Sequence, residues 1–285
     1  MITGVAAAVL VACGALALVG ATSPADSKDP VRVMFLGDSI TGSPGCWRAE
    51  VWRQLTNDGY SVDMVGPRTA DECGGVTNDA GVLWDPDNAG IGGATTFEMI
   101  NHIGYDGLAE KNPAELYVIL LGTNDVRGNF PASKVLEQYT FLVTLIREET
   151  PDATFVFGTL PPIGPSDCTD CQAVIDELNP QMPEWAEGVS TTDSPVTIAV
   201  IHEGMDPAID TYDDLHPNDS GNAKLAAAWV GPIEEALDGI GGAGEAEASG
   251  GLSPWGWAGL AVAVAATSAW AVMRHRPEQP PARRG

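Results

Sequence analysis

Basic side chains are scarce in this chain. Its 285 residues include 14 Lys and Arg against 39 Asp and Glu, which gives a formal net charge of −25. A surface of this sign repels a polyphosphate backbone, so nucleic acid is excluded as a partner. The same charge keeps a globular domain in solution and carries no information about a substrate.

Residues that could hold a metal are also few. The chain has five cysteines and four histidines. Its one Cys-x-x-Cys pair, Cys168 and Cys171, has neither a second pair nor a nearby histidine to complete a zinc shell. Several aspartates precede residue 88, but their spacing does not match a calcium-binding loop; they are Asp71, Asp79, Asp85 and Asp87. We therefore expect no metal and no organic cofactor.

The first apolar run lies at the N-terminus. The first charged side chain is Asp26, and we interpret residues 1–25 as a signal peptide or an N-terminal hydrophobic segment. The small residues around Gly20 favour cleavage, whereas the absence of a basic start leaves a retained anchor open. A lipid-attachment site at Cys13 is a third interpretation.

The second apolar run lies near the C-terminus. Residues 255–273 carry no charged side chain and approach the length of about 20 residues that a membrane-spanning helix needs. Arginines follow at once, which predicts a cytoplasmic tail over residues 274–285. Residues 239–254 are rich in Gly, Ala, Ser and Glu and are predicted to be a flexible linker. This leaves residues 26–238 as one domain, held outside the cell membrane by a single C-terminal span.

Four of the five cysteines fall inside this domain. An even number of cysteines in an exported domain favours disulfides. We expect Cys46 to pair with Cys73, because they flank one loop region, and Cys168 to pair with its neighbour Cys171. A redox motif is the alternative interpretation of the second pair.

Short apolar runs alternate with helical patterns along the domain. Candidate strands are residues 31–36, 61–66, 116–121, 154–160 and 196–201, and candidate helices are 46–57, 95–103, 133–149, 171–185 and 220–237. This alternation predicts an α/β fold, a three-layer α/β/α sandwich with a mostly parallel central sheet. Ligands of such sheets bind at the carboxyl edge of the strands. Two strands lead directly into polar motifs, at Ser39 and Asn124, and we expect both motifs to face one crevice.

A serine after a buried strand is a candidate nucleophile when a base can take its proton. Imidazole is the side chain suited to this near neutral pH. His216 lies in a polar loop before the last helix of the domain, and Asp213 is close enough in sequence to orient it. We predict Ser39 as nucleophile, His216 as base and Asp213 as the orienting carboxylate. His202, at the end of another strand, remains an alternative base.

Acyl transfer also requires donors for the oxyanion. A glycine-rich turn at residues 88–96 can present backbone N–H groups, and Asn124 carries a side-chain amide. The turn also has a purely structural interpretation, as a tight loop in which Thr95 caps the next helix.

In this order, the segments resemble the SGNH, or GDSL-like, hydrolase superfamily. The matching residues are Gly37-Asp38-Ser39, Gly90-x-Gly92-Gly93, Gly122-x-Asn124-Asp125 and Asp213-x-x-His216. The resemblance implies a flavodoxin-like sheet and a serine esterase. It also implies an oxyanion hole made by the N–H groups of Ser39 and Gly93 and the amide of Asn124.

Residues 37–47, 122–126 and 213–221 look like the branch that contains carbohydrate esterase family 3. That branch implies an ester substrate that is an acetylated carbohydrate such as acetylated xylan. The second motif lacks the histidine that is common there, so the acyl group stays open. A longer-chain esterase, an acyltransferase and a non-catalytic envelope-binding module remain alternatives.

Overall fold

A computed structural model describes residues 29–69 and 72–249. The predicted N-terminal segment 1–25, the predicted span 255–273 and the predicted tail 274–285 lie outside the described residues.

Within the described residues, a six-stranded sheet forms the centre of the domain. Its strands are β1 Val31–Gly37, β2 Val62–Met64, β3 Ala89–Gly90, β4 Leu116–Leu120, β5 Thr154–Gly158 and β6 Val196–Ala199. The order is β2-β1-β4-β5-β6, every pairing is parallel, and the short β3 pairs with the end of β1. Apart from β3, this is the flavodoxin order, and it reverses between β1 and β4. The predicted mostly parallel, flavodoxin-like sheet is confirmed.

Helices cover both faces of the sheet. They are α1 Ser39–Gly42, α2 Trp47–Asn57, α3 Thr96–Gly104, α4 Leu108–Lys111, α5 Thr123–Arg127, α6 Ala132–Glu149, α7 Cys171–Leu178, α8 Met182–Val189, α9 Pro207–Asp210 and α10 Asp219–Ser249. Helices α2 and α10 pack together over one face, while α3, α6 and α8 lie over the other. The expected three layers are present.

Aromatic side chains fix the two helical layers to the sheet. On the α2/α10 side, the Trp229 ring stacks on Trp47 at 5.5 Å, and Trp47 meets the edge of Phe35 at 5.3 Å. On the opposite side, Tyr139 of α6 packs on Phe157 at 5.1 Å. All five rings are buried, and each contributes roughly 1.5–3 kcal/mol through burial of apolar surface. These contacts hold the helices of both layers against the sheet.

One predicted helix is divided in the structure. Residues 171–185 form α7, a 3-10 turn at Asn179–Gln181, and the start of α8. Pro180 lies in that turn and lacks the N–H that a continuous helix would need there. The Asn179 amide bonds the backbone of Leu160 through both its oxygen and its nitrogen, each at 2.9 Å.

The predicted linker differs from the structure over its first part. Helix α10 continues to Ser249, so residues 239–249 are helical and not a flexible coil. An established helix adds each further residue at little cost, and the Glu and Ala residues at 245–248 are good helix formers. Residues 250–254 lie outside the described part. None of the described helices, α10 included, combines the length and apolar character needed to cross a bilayer.

Candidate active site

Ser39 is the first residue of α1 and is separated from the end of β1 by Asp38 alone. The buried Asp38 caps this short helix, since its Oδ1 accepts a hydrogen bond from the Ile40 N–H at 2.9 Å. A Cβ at Gly37 would lie 2.2 Å from the Leu120 carbonyl oxygen. Only glycine therefore lets β1 turn into α1 this close to β4, and the turn presents Ser39 at the carboxyl edge.

His216 reaches the candidate nucleophile. Its Nε2 lies 2.9 Å from Ser39 Oγ, and its Nδ1 lies 2.7 Å from Asp213 Oδ2. The other Asp213 oxygen accepts bonds from the backbone N–H groups of His216 at 2.7 Å and Leu215 at 3.2 Å. The Tyr212 N–H donates to the His216 carbonyl at 3.1 Å and closes the loop. The structure brings together the three residues predicted as the triad.

The charge on Asp213 is favoured by its surroundings. Partial desolvation acts to raise the pKa of Asp213, but hydrogen bonds from the amide and imidazole of His216 outweigh it and hold the pKa below its usual value. An ionised Asp213 accepts the Nδ1–H of His216 and leaves Nε2 as the acceptor. This tautomer is the one required to take a proton from Ser39.

Asp38 is a second carboxyl group beneath the nucleophile. Burial raises the pKa of Asp38 to about 6, although the Ile40 N–H, Thr123 and the charge of His216 act in the opposite direction. One of its oxygens, Oδ2, has no hydrogen-bond partner within the described residues. Its ionisation is therefore costly near neutral pH.

The glycine-rich turn lies against the end of β1. The Ile91 N–H donates to the Gly37 carbonyl at 2.9 Å, and Gly93 has a φ of 78°, in the left-handed region that favours glycine. Thr95 and Glu98 form the capping box of α3. Within the described chain, the backbone N–H groups of Gly93 and Ser39 have no hydrogen-bond partner. Both are available to a developing oxyanion.

Asn124 connects the second and third motifs. Its Nδ2 donates to the Ala94 carbonyl at 3.0 Å, and its Oδ1 accepts from Arg127 at 3.2 Å. A primary amide has two N–H donors, so one remains for a ligand. The predicted donor is thus held in a defined orientation beside the glycine-rich turn.

Sequence reasoning missed the residues that orient Asn124. Arg127 forms a bidentate ion pair with Asp167, with Nε to Oδ2 at 2.7 Å and Nη2 to Oδ1 at 3.0 Å. Buried Asp125 accepts from the N–H and the hydroxyl of Thr96 at 2.8 and 3.1 Å, which fixes α5 to the start of α3. Burial raises the pKa of Asp125, against these two bonds. No short-range sequence signal marks a pair that is 40 residues apart.

The loop between β5 and α7 contacts both halves of the site. Besides Asp167, it contains Gly164, whose N–H donates to the Asp214 carbonyl at 2.7 Å, and Ser166, whose N–H donates to Asp214 Oδ2 at 3.2 Å. Cys168 and Cys171 are joined at the end of this loop, and Cys46 is joined to Cys73. Both pairings are those expected from the sequence.

The alternative histidine is occupied elsewhere. His202 Nδ1 lies 2.8 Å from the Thr159 hydroxyl, and His102 pairs with Asp106 at 2.6 Å. Of the three histidines in the described residues, only His216 contacts Ser39.

An open pocket of about 410 Å³ adjoins the nucleophile. It is lined by Ser39, Gly42, Ser43, Arg68, Thr69, Gly90 and Gly92. A larger apolar groove of about 890 Å³ lies between α3 and α6, around Phe97 and Phe141, and none of the candidate site residues lines it. The described residues include no cluster of side chains that could hold a metal ion.

A known family model matches most of the domain. The model of the GDSL-like Lipase/Acylhydrolase family matches residues 35–224. The chain is also 30% identical, over 223 residues, to a multidomain esterase of Ruminococcus flavefaciens. The match covers 72% of this chain and 28% of that protein, so the chain spans under a third of the relative's length.

The chain is also similar to solved structures of esterases. An acetyl esterase mutant with acetate ion is 28% identical, with a TM-score of 0.64, covering 74% of this chain and 99% of that one. A carbohydrate esterase family 3 structure from Talaromyces cellulolyticus is 28% identical, with a TM-score of 0.63, covering 73% and 98%. A family 3 carbohydrate esterase from Clostridium thermocellum, 21% identical with a TM-score of 0.61 and covering 74% and 99%, shares the fold.

Proposed function

We propose that this chain, which belongs to the GDSL-like Lipase/Acylhydrolase family and is therefore a carboxylic ester hydrolase, removes O-acetyl groups from a carbohydrate. The observation that carries the chemistry is the hydrogen-bonded series from Ser39 through His216 to Asp213. It lies beside two backbone N–H groups that lack partners in the described structure.

The proposed mechanism follows the acyl-enzyme route. His216 Nε2 takes the proton of Ser39 Oγ as that oxygen attacks the ester carbonyl. The N–H groups of Ser39 and Gly93 and the free hydrogen of the Asn124 amide then stabilise the oxyanion. His216 protonates the departing alcohol and afterwards activates the water that releases the acid. Asp213 stabilises the imidazolium at both stages.

The acetyl assignment is supported by the pocket at Ser39. Its lining is glycine and short or polar side chains, and the apolar groove between α3 and α6 has none of the candidate site residues in its lining. A long acyl chain would require an apolar channel that starts at the nucleophile. The 28% identical acetyl esterase structure also supports the acetyl assignment, and the 28% identical carbohydrate esterase family 3 structure supports the carbohydrate assignment.

We also propose that the domain works outside the cell, attached to the membrane through residues 255–273. The two disulfides support an oxidising compartment. Membrane fractionation of cells that express the full chain, compared with a chain ending at residue 250, tests the attachment. If both forms appear equally in the soluble fraction, the proposed membrane attachment is wrong.

Two measurements test the chemistry. A fluorophosphonate probe should label the wild type and leave Ser39→Ala unlabelled, because the probe reacts with an activated serine. A series of 4-nitrophenyl esters should show the highest kcat/KM for acetate, and acetylated xylan should release free acetate. Absence of labelling in a folded wild type contradicts the nucleophile, while a preference for acyl groups beyond about eight carbons contradicts only the acetyl assignment.

A further inference from the structure

Two further pockets lie beside the pocket at Ser39. The pocket at the nucleophile includes Ser43, and a second pocket of about 490 Å³ begins at the next residue, Pro44. The Ser43 hydroxyl donates to Glu72 at 2.5 Å, and Glu72 lines the second pocket. A lining residue of the first pocket therefore bonds directly to a lining residue of the second, which makes the two pockets neighbours.

The second pocket continues into a third. The third, of about 540 Å³, lies between α2 and α10 and shares four lining residues with the second: Cys46, Glu72, Asp219 and Asn222. The disulfide between Cys46 and Cys73 lies along this path and ties the loop that carries Glu72 to the start of α2. We call the second and third pockets together the α2/α10 groove.

The near end of the groove has an aromatic wall. The Tyr212 ring stacks on the His216 imidazole, with centroids 5.7 Å apart and planes 14° apart. Tyr212 is nevertheless 61% exposed, so its other face is open to the groove and to solvent. An open aromatic face packs well against the C–H face of a sugar ring, and the Glu72 carboxylate beside it accepts hydrogen bonds from hydroxyl groups.

The far end of the groove has a charged side and a side formed by small apolar residues. Glu50 and Arg53 of α2 form an ion pair at 2.6 Å on one side. Exposed Ala223 and Ala227 of α10 form the other side and leave the groove shallow. Carboxylates outnumber cations along its length, so a polyanionic chain is disfavoured, whereas neutral sugar hydroxyls find acceptors.

We propose that the α2/α10 groove binds the sugar residues of a neutral polysaccharide that lie next to the acetylated one. This inference rests on the proposed acetylesterase function and goes beyond it, because it assigns polymer recognition to residues outside the catalytic pocket. It requires that binding of the sugar chain and hydrolysis of a small ester can be separated.

Ala223→Trp tests the separation. The introduced indole fills the groove. Ala223 is exposed and lines the third pocket, and it is not among the residues that line the pocket at Ser39. Ala173→Trp is the matched control, since Ala173 is an exposed helical alanine on α7, which packs against α6 on the opposite layer. Binding of xylohexaose, cellohexaose and mannohexaose is measured by calorimetry, and kcat/KM is measured with 4-nitrophenyl acetate.

At least one hexasaccharide should bind the wild type, and Ala223→Trp should raise its Kd about tenfold. The control variant should bind like the wild type, and all three proteins should hydrolyse 4-nitrophenyl acetate equally. Ala227→Trp repeats the test if the first variant does not fold. The proposed binding role of the groove is overturned if none of the three hexasaccharides binds. It is also overturned if the Kd of the groove variant equals that of the control Ala173→Trp. Failure to release acetate from acetylated xylan instead overturns the proposed function, independently of the binding result.

Discussion

The two sides of the candidate site are held in different ways. On the acid-base side, Asp213 and His216 lie in one short loop that is closed by its own hydrogen bonds. On the oxyanion side, Gly93 and Asn124 come from separate segments and are held by contacts between residues far apart in sequence, such as the Arg127 to Asp167 pair. The first side is a local motif, and the second depends on tertiary packing.

The difference predicts how each side fails. A change in the local loop removes a chemical group and should act in an all-or-none manner. A change in the long-range contacts leaves every chemical group present and displaces it, which should reduce the rate gradually. Predictions on the two sides therefore differ in size as well as in place.

His216→Ala should produce the largest loss, roughly 10⁵- to 10⁶-fold in kcat, because no other group takes the serine proton. The matched control is His202→Ala, since His202 contacts Thr159 and not Ser39. Initial rates with 4-nitrophenyl acetate, together with circular dichroism for folding, provide the measurement. Retained activity in His216→Ala with loss in His202→Ala would reverse the assignment of the base.

Asp213→Asn should lower kcat about 10⁴-fold, because an asparagine donor facing Nδ1 favours the wrong tautomer. Asp214→Asn is the control: Asp214 faces Ser166, and asparagine tolerates its φ of 67°. The Asp214→Asn variant should lose less than about tenfold in kcat. Because the pKa of Asp213 is lowered, its carboxylate stays ionised at pH values somewhat below the usual pKa of an aspartic acid. Its contribution to the rate is therefore lost only as the pH falls through that lowered pKa. A wild-type rate that falls with an Asp213-dependent pKa near neutrality would contradict this.

These two sides also differ in what the sequence reveals. The triad could be predicted because Asp213 and His216 are three residues apart and Ser39 follows an apolar run that marks β1. Helices α1 and α5, which present Ser39 and Asn124, are too short to show a helical period. The partner of Arg127 is set by the packing of another loop and has no local signature.

The same limit applies at the C-terminus of the domain. Composition predicted a linker from residue 239, whereas α10 continues to Ser249 because its packed N-terminal part has already nucleated the helix. Glycine content describes each residue alone, and helix propagation depends on what precedes it. Residue composition was therefore the weaker guide at this boundary.

Asn124→Ala should lower kcat about 10²- to 10³-fold with little change in KM, because the amide acts on charge that develops in the transition state. Asn124→Asp, which keeps the shape and replaces the donor with an acceptor, should be at least as slow. Steady-state kinetics on the acetate ester separate kcat from KM. A rise in KM with unchanged kcat would place Asn124 in substrate binding and not in the oxyanion hole.

Asp38→Asn tests the buried carboxyl group beneath Ser39. The folded-state pKa of Asp38, about 6, is above the usual value of an aspartic acid. The penalty in folding free energy is therefore absent below the unfolded pKa, grows as the pH rises from there to about 6, and is complete above it. The full penalty is of order 3 kcal/mol. Asparagine can still cap α1, so the variant should gain stability relative to wild type at pH 8 and lose that gain near pH 4. Urea unfolding at both pH values measures this, and a gain independent of pH would refute it.

The smallest effect should come from the ion pair behind Asn124. Arg127→Met and Asp167→Asn should each lower kcat about tenfold. The first removes the donor to the Asn124 oxygen and the second removes the charge that holds this donor in place, while Asn124 keeps its bond to Ala94. The double variant should be no slower than either single one, since residues in one network are not additive. Neither variant should alter the pH profile, because Asp213 and His216 keep the hydrogen bonds that join them. Additive losses, or a shifted pH profile, would mean that the acid-base side is not self-contained and would remove the distinction between the two sides.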